Sequence, residues 1–266
     1  MRNAEGRTGI VFIVGAGPGA SDLITLKGLR ALRQADVVFY DALVNPELLS
    51  ETDMVTEKVF VGKRCGSHTL EQWEINRRIV AEARAGKTVV RLKGGDPLVF
   101  GRGGEEALAC EEAGVAFELI PGVSSALGAA SYAGIPLTQR SIASSVAFVT
   151  ARDGGAKTDS RQTLAALARA ADTLVIFMGG ARLRSIAESL MEEGIQGDTP
   201  AAVISRATLD DQQTVLGTLD SIAARTAAAG LETPMLMIVG QVTNLSASLN
   251  WFEGRRQVVR DFVNCA

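Results

Sequence analysis

The sequence predicts an α/β protein, in which strands alternate with helices along most of the chain. Short apolar runs recur, and each is followed by a glycine-rich or polar turn. The segments between these runs place apolar residues at helical spacing. Hydrophobic residues make up 47% of the chain and charged residues 21%, which excludes an intrinsically disordered protein. Alternation of this kind predicts parallel strands covered by helices.

The first half of the chain shows the alternation most clearly. Leu23, Leu26 and Leu29 mark a first helix with Ser21 as its predicted N-cap. A second helix is predicted from Ile75, Ile79 and Ala83, preceded by Thr69 and Gln72 at capping-box spacing, and a third covers 105–113. The predicted strands of this half are 10–14, 37–40, 88–92 and 115–120.

The second half repeats the alternation without repeating the sequence. Helices are predicted around Leu164 and Leu167 and from Leu183 to Met191, the latter ended by Gly194. The predicted strands are 146–150, 173–178, 201–204, 214–219 and 235–239.

A stretch rich in serine and threonine around Pro136, residues 134–145, interrupts the periodicity and predicts a domain boundary. We therefore expect an N-terminal α/β domain over 9–135 and a C-terminal α/β domain over 145–245. Residues 246–266 would form an extension on the surface, with Trp251 and Phe252 as its docking point.

Composition excludes several classes of function. A net charge of −3 argues against a general nucleic-acid binder. The three cysteines, Cys65, Cys110 and Cys265, lack paired spacing, and His68 is the only histidine, so neither a disulfide framework nor a metal site is expected. No apolar run approaches the roughly 18–20 residues that span a bilayer, and no signal-peptide core is present. We expect a soluble cytoplasmic protein without a membrane partner.

The first glycine-rich turn, GAGPGA at 15–20, follows a predicted strand and precedes a helix. It nearly matches the dinucleotide-binding fingerprint, and Asp41 at the end of the next strand would complete it. One interpretation is therefore a nicotinamide-dependent dehydrogenase. Against it, Pro18 removes a backbone N–H from the loop that would approach a pyrophosphate. Such a proline suits a ligand contacted by shape and by carbonyl groups, and a turn without any ligand is a further alternative.

A second glycine-rich loop, RLKGGDPLVFGRGGEE at 91–106, lies at the end of a predicted strand. It has five glycines between residues 94 and 104, which are unfavourable for chain entropy. Because the carboxyl ends of strands face the ligand crevice in α/β sheets, we expect a binding loop here. The adjacent glycines would allow Arg102 and Glu105 to point into a site, and an ordinary surface ion pair is the alternative.

A third turn, PGVSS at 121–125, also ends a strand and opens a helix. Ser124 or Ser125 is either a plain N-cap or, with the helix N-terminus, holds a polar ligand group.

A series of motifs occurs in an order and spacing typical of one family: GAGPG (15–19), YDALV (40–44), GKR (62–64), RLKGGDPLVFGRGGEE (91–106), PGVSSA (121–126), AGIPLTQR (133–140), VIFMGG (175–180) and TPAAVISRAT (199–208). On these motifs the chain resembles the uroporphyrinogen-III C-methyltransferases of the tetrapyrrole methylase superfamily, from residue 9 to about 245. The long glycine loop and GKR together are highly specific. GAGPG alone is not, since other precorrin methylases and diphthine synthase are similar there.

The resemblance implies two α/β domains with an S-adenosylmethionine site in the cleft between them, in a homodimer. It implies transfer of two methyl groups to carbons 2 and 7 of uroporphyrinogen III, giving precorrin-2 and S-adenosylhomocysteine. Precorrin-2 feeds sirohaem, cobalamin and, in denitrifiers, haem d1. The sulfonium already activates the methyl group, so neither a metal nor a nucleophilic side chain is needed.

The resemblance also assigns residues by position. Asp41 matches the proton acceptor and Lys63 the proton donor, while Arg102 and Glu105 match catalytic-type residues near the tetrapyrrole. Arg64, Arg102 and Arg140 could clamp the substrate carboxylates with forked hydrogen bonds. The implied cofactor contacts are Pro18, Gly94, Gly95, Asp96, Val99, Ser124, Ser125, Met178, Ala207 and Met235. For Met178, plain core packing is the alternative.

Some positions depart from the family pattern. Ala207 stands where glycine is usual and Met235 where alanine is usual, so added bulk could narrow the adenine pocket. Gln139 replaces a histidine, and Ala151-Arg152 replaces a usual Gly-His pair. The alternatives left open are another precorrin methyltransferase, the dehydrogenase, and a tetrapyrrole-binding regulatory protein without turnover.

Overall fold

Two five-stranded sheets, one in each half of the chain, organise the structure. The structure is a computed structural model and describes residues 9–62, 70–151 and 160–252. Contacts divide the chain into two compact units between Ser125 and Ala126, at the start of the fourth helix. The predicted domain limits at 135 and 145 remain predictions.

The sheet of the first unit is entirely parallel, as the alternation predicts. Its strands are β1 (Ile10–Gly15), β2 (Val37–Tyr40), β3 (Glu57–Phe60), β4 (Thr88–Lys93) and β5 (Ala116–Ile120). They lie in the order β3-β2-β4-β1-β5, so β4 separates β2 from β1. Strand β3 was not predicted, because it is a short, partly exposed edge strand with two charged residues.

Helices cover both faces of this sheet. On one face, Val11, Ile13 and Phe39 pack with Ile79 of the second helix and Cys110 of the third. On the other face, Val14, Val38 and Leu92 pack against Leu32 of the first helix and Leu48. Burial on both faces explains the continuous apolar runs in the sequence. The helices are α1 (Leu26–Arg33), α2 (Gln72–Arg84), α3 (Gly103–Glu112) and α4 (Ser125–Tyr132), the last starting at the end of the first unit.

The predicted cap of the first helix is wrong. Helix α1 begins at Leu26, and the Thr25 hydroxyl accepts a hydrogen bond of 3.1 Å from the Gly28 N–H. Ser21 lies in a short 3-10 helix and donates to the Glu47 carboxylate at 2.6 Å. Because of this 3-10 helix, the α-helix begins further along the chain, and the spacing of the leucines alone does not reveal the difference. Thr69, of the predicted capping box, lies outside the described residues, and α2 begins at Gln72.

The sheet of the second unit is mixed, so the expectation of parallel strands is wrong here. Strands β6 and β7 are parallel, but β10 is antiparallel to both β7 and β8, and β8 is antiparallel to β9. A short turn without a helix joins β8 to β9, which favours antiparallel pairing. The strands are β6 (Val146–Thr150), β7 (Thr173–Phe177), β8 (Pro200–Ser205), β9 (Gln213–Thr218) and β10 (Met235–Val239), in the order β6-β7-β10-β8-β9.

The helices of the second unit bury one face of its sheet. Leu174, Ile176 and Val203 of the strands pack with Ile186 and Leu190. The helices are α5 (Ser160–Ala170), α6 (Leu183–Glu192), α7 (Ile222–Ala228) and α8 (Ser246–Leu249), and α7 was not predicted. In the described part of the chain, no helix combines the length and the hydropathy needed to cross a membrane.

Trp251 and Phe252, the predicted docking point of the C-terminal extension, contact the end of α4. The Trp251 indole N–H donates to the Ser131 carbonyl at 2.9 Å. Both rings contact Tyr132, with centroid distances of 5.0 Å for Trp251 and 4.8 Å for Phe252. The Ser246 hydroxyl donates to the Ala133 carbonyl at 2.6 Å. The extension is therefore tied to the end of α4 within the second unit.

The reassigned cap predicts different effects for two hydroxyl deletions. Thr25→Ala should lower the free energy of unfolding by about 1 kcal/mol, because the Gly28 N–H loses its acceptor. Ser21→Ala should change it by less than about 0.5 kcal/mol, because its hydrogen bond is exposed. Urea denaturation of both variants tests this, and a larger loss for Ser21→Ala would restore it as the cap.

Candidate active site

The carboxyl edge of the first sheet collects the loops that the sequence singled out. All five strands are parallel, so the loops after β1, β2, β4 and β5 leave the same edge. These are the segments 16–20, 41–45, 94–102 and 121–124. Ligands of open α/β sheets bind at this edge. It is therefore the candidate site of the first unit.

Three of these loops meet backbone against backbone at Gly15, Gly95 and Gly122. A Cβ atom on Gly15 would lie 2.5 Å from the Gly122 nitrogen and 2.7 Å from the Gly95 carbonyl oxygen. A Cβ atom on Gly122 would lie 2.7 Å from the Gly15 Cα and would also overlap the Gly95 oxygen. No side chain fits at either position, so the strand-end loops depend on these glycines.

Hydrogen bonds lock the first two loops together. Gly95 N–H donates to the Gly17 carbonyl at 2.7 Å, and Gly17 N–H donates back to Gly95 at 3.3 Å. Ala16 N–H donates to the Lys93 carbonyl at 2.7 Å. The Asn45 amide, in the loop after β2, donates to the Gly19 carbonyl at 2.9 Å. The loops after β1, β2 and β4 therefore form one connected edge.

Asp96 joins the second loop to the third. One carboxylate oxygen accepts from the Gly122 N–H at 3.1 Å and the other from the Leu98 N–H at 2.8 Å. Ser124 is buried just beyond, and the Ser125 nitrogen would lie 3.5 Å from a Cβ on Gly95. The structure thus places in these loops the predicted residues Pro18, Gly94, Gly95, Asp96, Val99, Ser124 and Ser125.

Asp41 lies directly after β2, where the loop turns back toward the second glycine loop. Its Oδ1 accepts from the Leu43 N–H at 3.0 Å, and its Oδ2 lies 3.5 Å from Nη2 of Arg91. The side chain of Leu43 packs against Gly94, where a Cβ would lie 2.7 Å from the Leu43 Cβ. The Asp41 side chain is 24% exposed. A carboxylate held on both oxygens but open to solvent can accept a proton from a bound ligand.

A buried cluster of three charged side chains, Arg91, Lys93 and Glu106, lies beneath this edge of the sheet. Glu106 Oε1 accepts from Arg91 Nε at 2.9 Å, from Lys93 Nζ at 3.0 Å and from Gln72 Nε2 at 3.1 Å. All three charged side chains are almost completely buried. The cluster was not predicted from the sequence. The available signal was that Arg91 and Lys93 alternate with Leu92 and so share one face of a buried strand.

Burial changes the proton affinities of the groups around this cluster. Burial lowers the pKa of the Lys93 ammonium, Arg91 lowers it further, and Glu106 opposes both. Burial also raises the pKa of the Cys110 thiol to about 11, with a contribution from the Glu106 charge. Cys110 is therefore a protonated packing residue at neutral pH, not a nucleophile.

Arg102 and Glu105 form an exposed ion pair with each other, which was the alternative interpretation. Arg102 donates to both Glu105 oxygens, at 2.8 and 2.7 Å, and the side chains are 56% and 51% exposed. These hydrogen bonds hold the pKa of the Glu105 carboxyl below its ordinary value. Arg102 also has a φ of 60°, an uncommon conformation for a non-glycine residue. Their assignment to the substrate stays a prediction.

Exposed apolar side chains flank the glycine loops, and sequence analysis did not single them out. Leu43 follows β2, whereas Leu98 and Phe100 belong to the loop after β4. Phe100 has a φ of 53°, which places its ring under local backbone constraint. Apolar residues exposed together at a ligand edge are typical of a binding surface. Their position directly after a strand, beside glycines, was the available signal.

The predicted contacts of the second unit lie on one edge of its own sheet. Met178 follows β7, Ala207 follows β8, and Met235 begins β10. Because β10 is antiparallel to β7 and β8, its start lies beside their ends. Met178 is 46% exposed with a φ of 58°, so core packing is not its role. Met235 is half-buried near Gly180.

The remaining predicted residues do not belong to these loops of the sequence. Arg140 is an exposed residue of the second unit, beside Gln139, whose N–H donates to the Ala143 carbonyl at 2.9 Å. Lys63 and Arg64 lie outside the described residues, as does His68. Their assigned roles stay predictions.

The sheet order argues against a dinucleotide site. In dinucleotide-binding folds the second strand lies beside the first, so that its terminal acidic residue reaches the ribose. Here β4 lies between β1 and β2, so Asp41 ends a strand that is not the neighbour of β1. Helix α1 also begins well after the glycine turn, with the Gly28 N–H already bonded to Thr25.

One protein-family model matches most of the chain. The family model for tetrapyrrole (corrin/porphyrin) methylases matches residues 11–223. The chain belongs to the tetrapyrrole methylase family.

Two relatives and one solved structure show how far the similarity extends. The chain is 46% identical to the uroporphyrinogen-III C-methyltransferase of Bacillus subtilis, over 92% of this chain and 95% of that protein. It is 46% identical to the siroheme synthase of Zymomonas mobilis over 94% of this chain, but spans only 52% of that protein. The structure of the Thermus thermophilus uroporphyrin-III C-methyltransferase complexed with S-adenosyl homocysteine matches with a TM-score of 0.77 and 39% identity, covering 89% of this chain and 100% of that chain.

The tetrapyrrole methylase chain therefore spans about half the length of the siroheme synthase relatives it matches. The two-domain α/β fold predicted from the resemblance is confirmed by the solved structures. The matched region also contains every loop of the candidate site, from the turn after β1 to the start of α4.

The backbone contact between the loops predicts that Gly122 tolerates no side chain. Gly122→Ala should lower the free energy of unfolding by about 1–3 kcal/mol, because the new methyl group must displace Gly15 or Gly95. Gly104→Ala is the matched control, since a Cβ there meets nothing within 4 Å, and it should leave stability unchanged or slightly raised. Urea denaturation of both variants measures the difference. Equal stability of the two variants would contradict the contact.

Proposed function

We propose that this chain is an S-adenosylmethionine-dependent C-methyltransferase that converts uroporphyrinogen III to precorrin-2 by methylation at carbons 2 and 7. The observation that carries the proposal is the carboxyl edge of the first sheet. There a fixed carboxylate, Asp41, stands beside glycine loops that expose backbone and apolar side chains. Similarity to the uroporphyrinogen-III C-methyltransferase of Bacillus subtilis, at 46% identity, supports the reaction type.

The loops suit S-adenosylmethionine better than a phosphate ligand. Pro18 lacks an N–H, and the N–H groups of Gly17, Gly95 and Gly122 are committed to other loops. A Cβ atom on Gly94 would lie 2.7 Å from the Leu43 Cβ, and Gly95 has a φ of 69°, so both positions of this loop suit glycine. When bound, S-adenosylmethionine supplies a methyl group that its sulfonium already activates. Pro18, Gly94, Gly95, Asp96, Val99, Ser124 and Ser125 would hold it in this unit, and Met178, Ala207 and Met235 would contribute from the other.

The exposed groups of the same loops suit a carboxylate-rich macrocycle. Leu43, Leu98 and Phe100 offer apolar contact to the ring system. Arg102 can exchange its exposed partner Glu105 for a substrate carboxylate, because both side chains are open to solvent. Arg64 and Arg140 would bind further carboxylates, with the forked geometry that arginine provides. Positioning of the reacting carbon by these contacts is the main contribution of the protein.

Carbon methylation of a pyrrole requires loss of a proton from the substrate. Asp41 is the proton acceptor in this proposal, since its carboxylate is fixed on both oxygens and remains 24% exposed. Lys63 is the assigned proton donor, and Glu105 is the second carboxylate near the substrate. The glycine loops meanwhile hold the methyl donor in place.

Two departures from the family pattern bear on the second unit. Ala207 and Met235 replace smaller residues, and both lie at the edge that holds Met178. Contacts through their backbone atoms would leave the cofactor assignment intact. The resemblance further implies a homodimer, which is part of the proposal, as is the cytoplasmic location expected from the sequence. The product would supply sirohaem, cobalamin or haem d1 synthesis.

Anaerobic incubation with S-adenosylmethionine and uroporphyrinogen III tests the proposal directly. The product mass should rise by two methyl groups, with S-adenosylhomocysteine formed in proportion. A gain on a different precorrin, with none on uroporphyrinogen III, would reassign the chain to another methylation step. Binding of S-adenosylhomocysteine without any methyl transfer would instead favour a tetrapyrrole-binding protein without turnover. Protection against thermal unfolding by NAD(P), and not by S-adenosylhomocysteine, would favour the dehydrogenase.

A further inference from the structure

We propose that Arg91 is a positioning residue that fixes the Asp41 carboxylate, and that Glu106 anchors Arg91 in this role. The inference rests on the proposed function of Asp41 as proton acceptor. It concerns a residue at the bottom of the site, buried in the central strand β4, that contacts neither substrate nor cofactor in the proposal.

The guanidinium of Arg91 makes three hydrogen bonds to Glu106 and to backbone carbonyls, and a fourth contact to Asp41. Its Nε donates to Glu106 at 2.9 Å. Its Nη1 donates to the carbonyls of Leu92 at 2.9 Å and Phe39 at 3.3 Å. Its Nη2 lies 3.5 Å from Asp41 Oδ2. Four contacts in fixed directions define the plane of the guanidinium, which only arginine can satisfy together.

The anchor of Arg91 is itself immobile. Glu106 lies in the first turn of α3 and is 1% exposed. Its Oε1 also accepts from Lys93 and from Gln72 of α2, so two helices and the sheet share one carboxylate. Its Oε2 is buried and accepts no hydrogen bond from any described residue. Loss of Arg91 would leave Lys93 as the remaining described charged partner of Glu106.

Asp41, by contrast, has few restraints of its own. It lies in a short turn after β2, and its other described hydrogen bond is local, from the Leu43 N–H two residues away. Without Arg91, Oδ2 would lose its only described charged partner, and the carboxylate would be free to rotate about its side-chain bonds. Misplacement of a catalytic group by about 1 Å can lower a rate about a hundredfold. Arg91 should therefore affect kcat more than substrate affinity.

A double-mutant cycle on kcat tests whether Arg91 acts through Asp41. Arg91→Lys keeps the charge but loses the fork, and should lower kcat by about tenfold to a hundredfold. KM for uroporphyrinogen III and Kd for S-adenosylhomocysteine should change less than about twofold. In an Asp41→Asn background, the same change should alter the residual rate by less than about twofold, because the group it positions is already lost.

Arg33→Lys is the matched control. It removes a guanidinium fork from the exposed pair with Glu51, outside the candidate loops, and should leave kcat unchanged. Circular dichroism checks that each variant is folded. Should Arg91→Lys fail to fold, Glu106→Gln takes its place in the cycle, since it weakens the anchor while keeping the size of the side chain.

A second measurement does not depend on turnover. In protein labelled with ¹³C at aspartate carboxyl carbons, the Asp41 signal is assigned by its absence in Asp41→Asn. The Arg91 variant should shift this signal, whereas Arg33→Lys should not. An Asp41 signal that does not shift in the Arg91 variant overturns the proposal. So does a loss of kcat from Arg91→Lys that is equally large in the native and the Asp41→Asn backgrounds.

Other outcomes would count against the proposed function instead. These are a native chain that does not methylate uroporphyrinogen III, or an Asp41→Asn variant that keeps its full kcat. The carboxyl signal then still shows whether Arg91 holds Asp41.

Discussion

The contact of Gly15, Gly95 and Gly122 is the constraint on which the site depends. The backbones of the loops after β1, β4 and β5 approach so closely here that no side chain fits between them. Hydrogen bonds from Gly95 to Gly17 and from Gly122 to Asp96 then fix their relative positions. The result is a rigid ligand edge made largely of backbone, which suits a cofactor that carries no phosphate.

The charge cluster under this edge connects the fold to the chemistry. Glu106 ties α2, α3 and β4 together, and Arg91 extends from it to Asp41 at the end of the neighbouring strand. Burial makes the cluster rigid. An unpaired charge at this depth would strongly destabilise the fold, so each charged side chain there requires its partners. Arg91, Lys93 and Glu106 therefore occupy interior positions where apolar residues would be expected. They lie beside Asp41, the candidate base, and the proposed role of Arg91 and Glu106 is to hold its carboxylate in place.

The sequence predicted most strands and helices because continuous apolar runs mark buried strands and apolar residues at helical spacing mark the helices that cover them. It did not predict β3, a short edge strand with Glu57 and Lys58, or α7, whose alanines give little periodicity. The directions of the strands in the second sheet were not predicted correctly either, because an apolar pattern does not show whether a strand is parallel or antiparallel to its neighbour. The glycine loops could be predicted from their motifs. The cluster could not, since the burial of Glu106 depends on how α3 packs on a strand that precedes it in the chain.

Hydrogen–deuterium exchange with S-adenosylhomocysteine tests the central claim, that the glycine loops of the first unit bind the cofactor. With saturating ligand, peptides covering residues 94–99 and 121–125 should exchange more slowly, whereas those of α2 (Gln72–Arg84) should be unchanged. Calorimetry on the same sample establishes that the ligand is bound. Bound ligand without slower exchange in either loop would contradict the account and place the cofactor elsewhere.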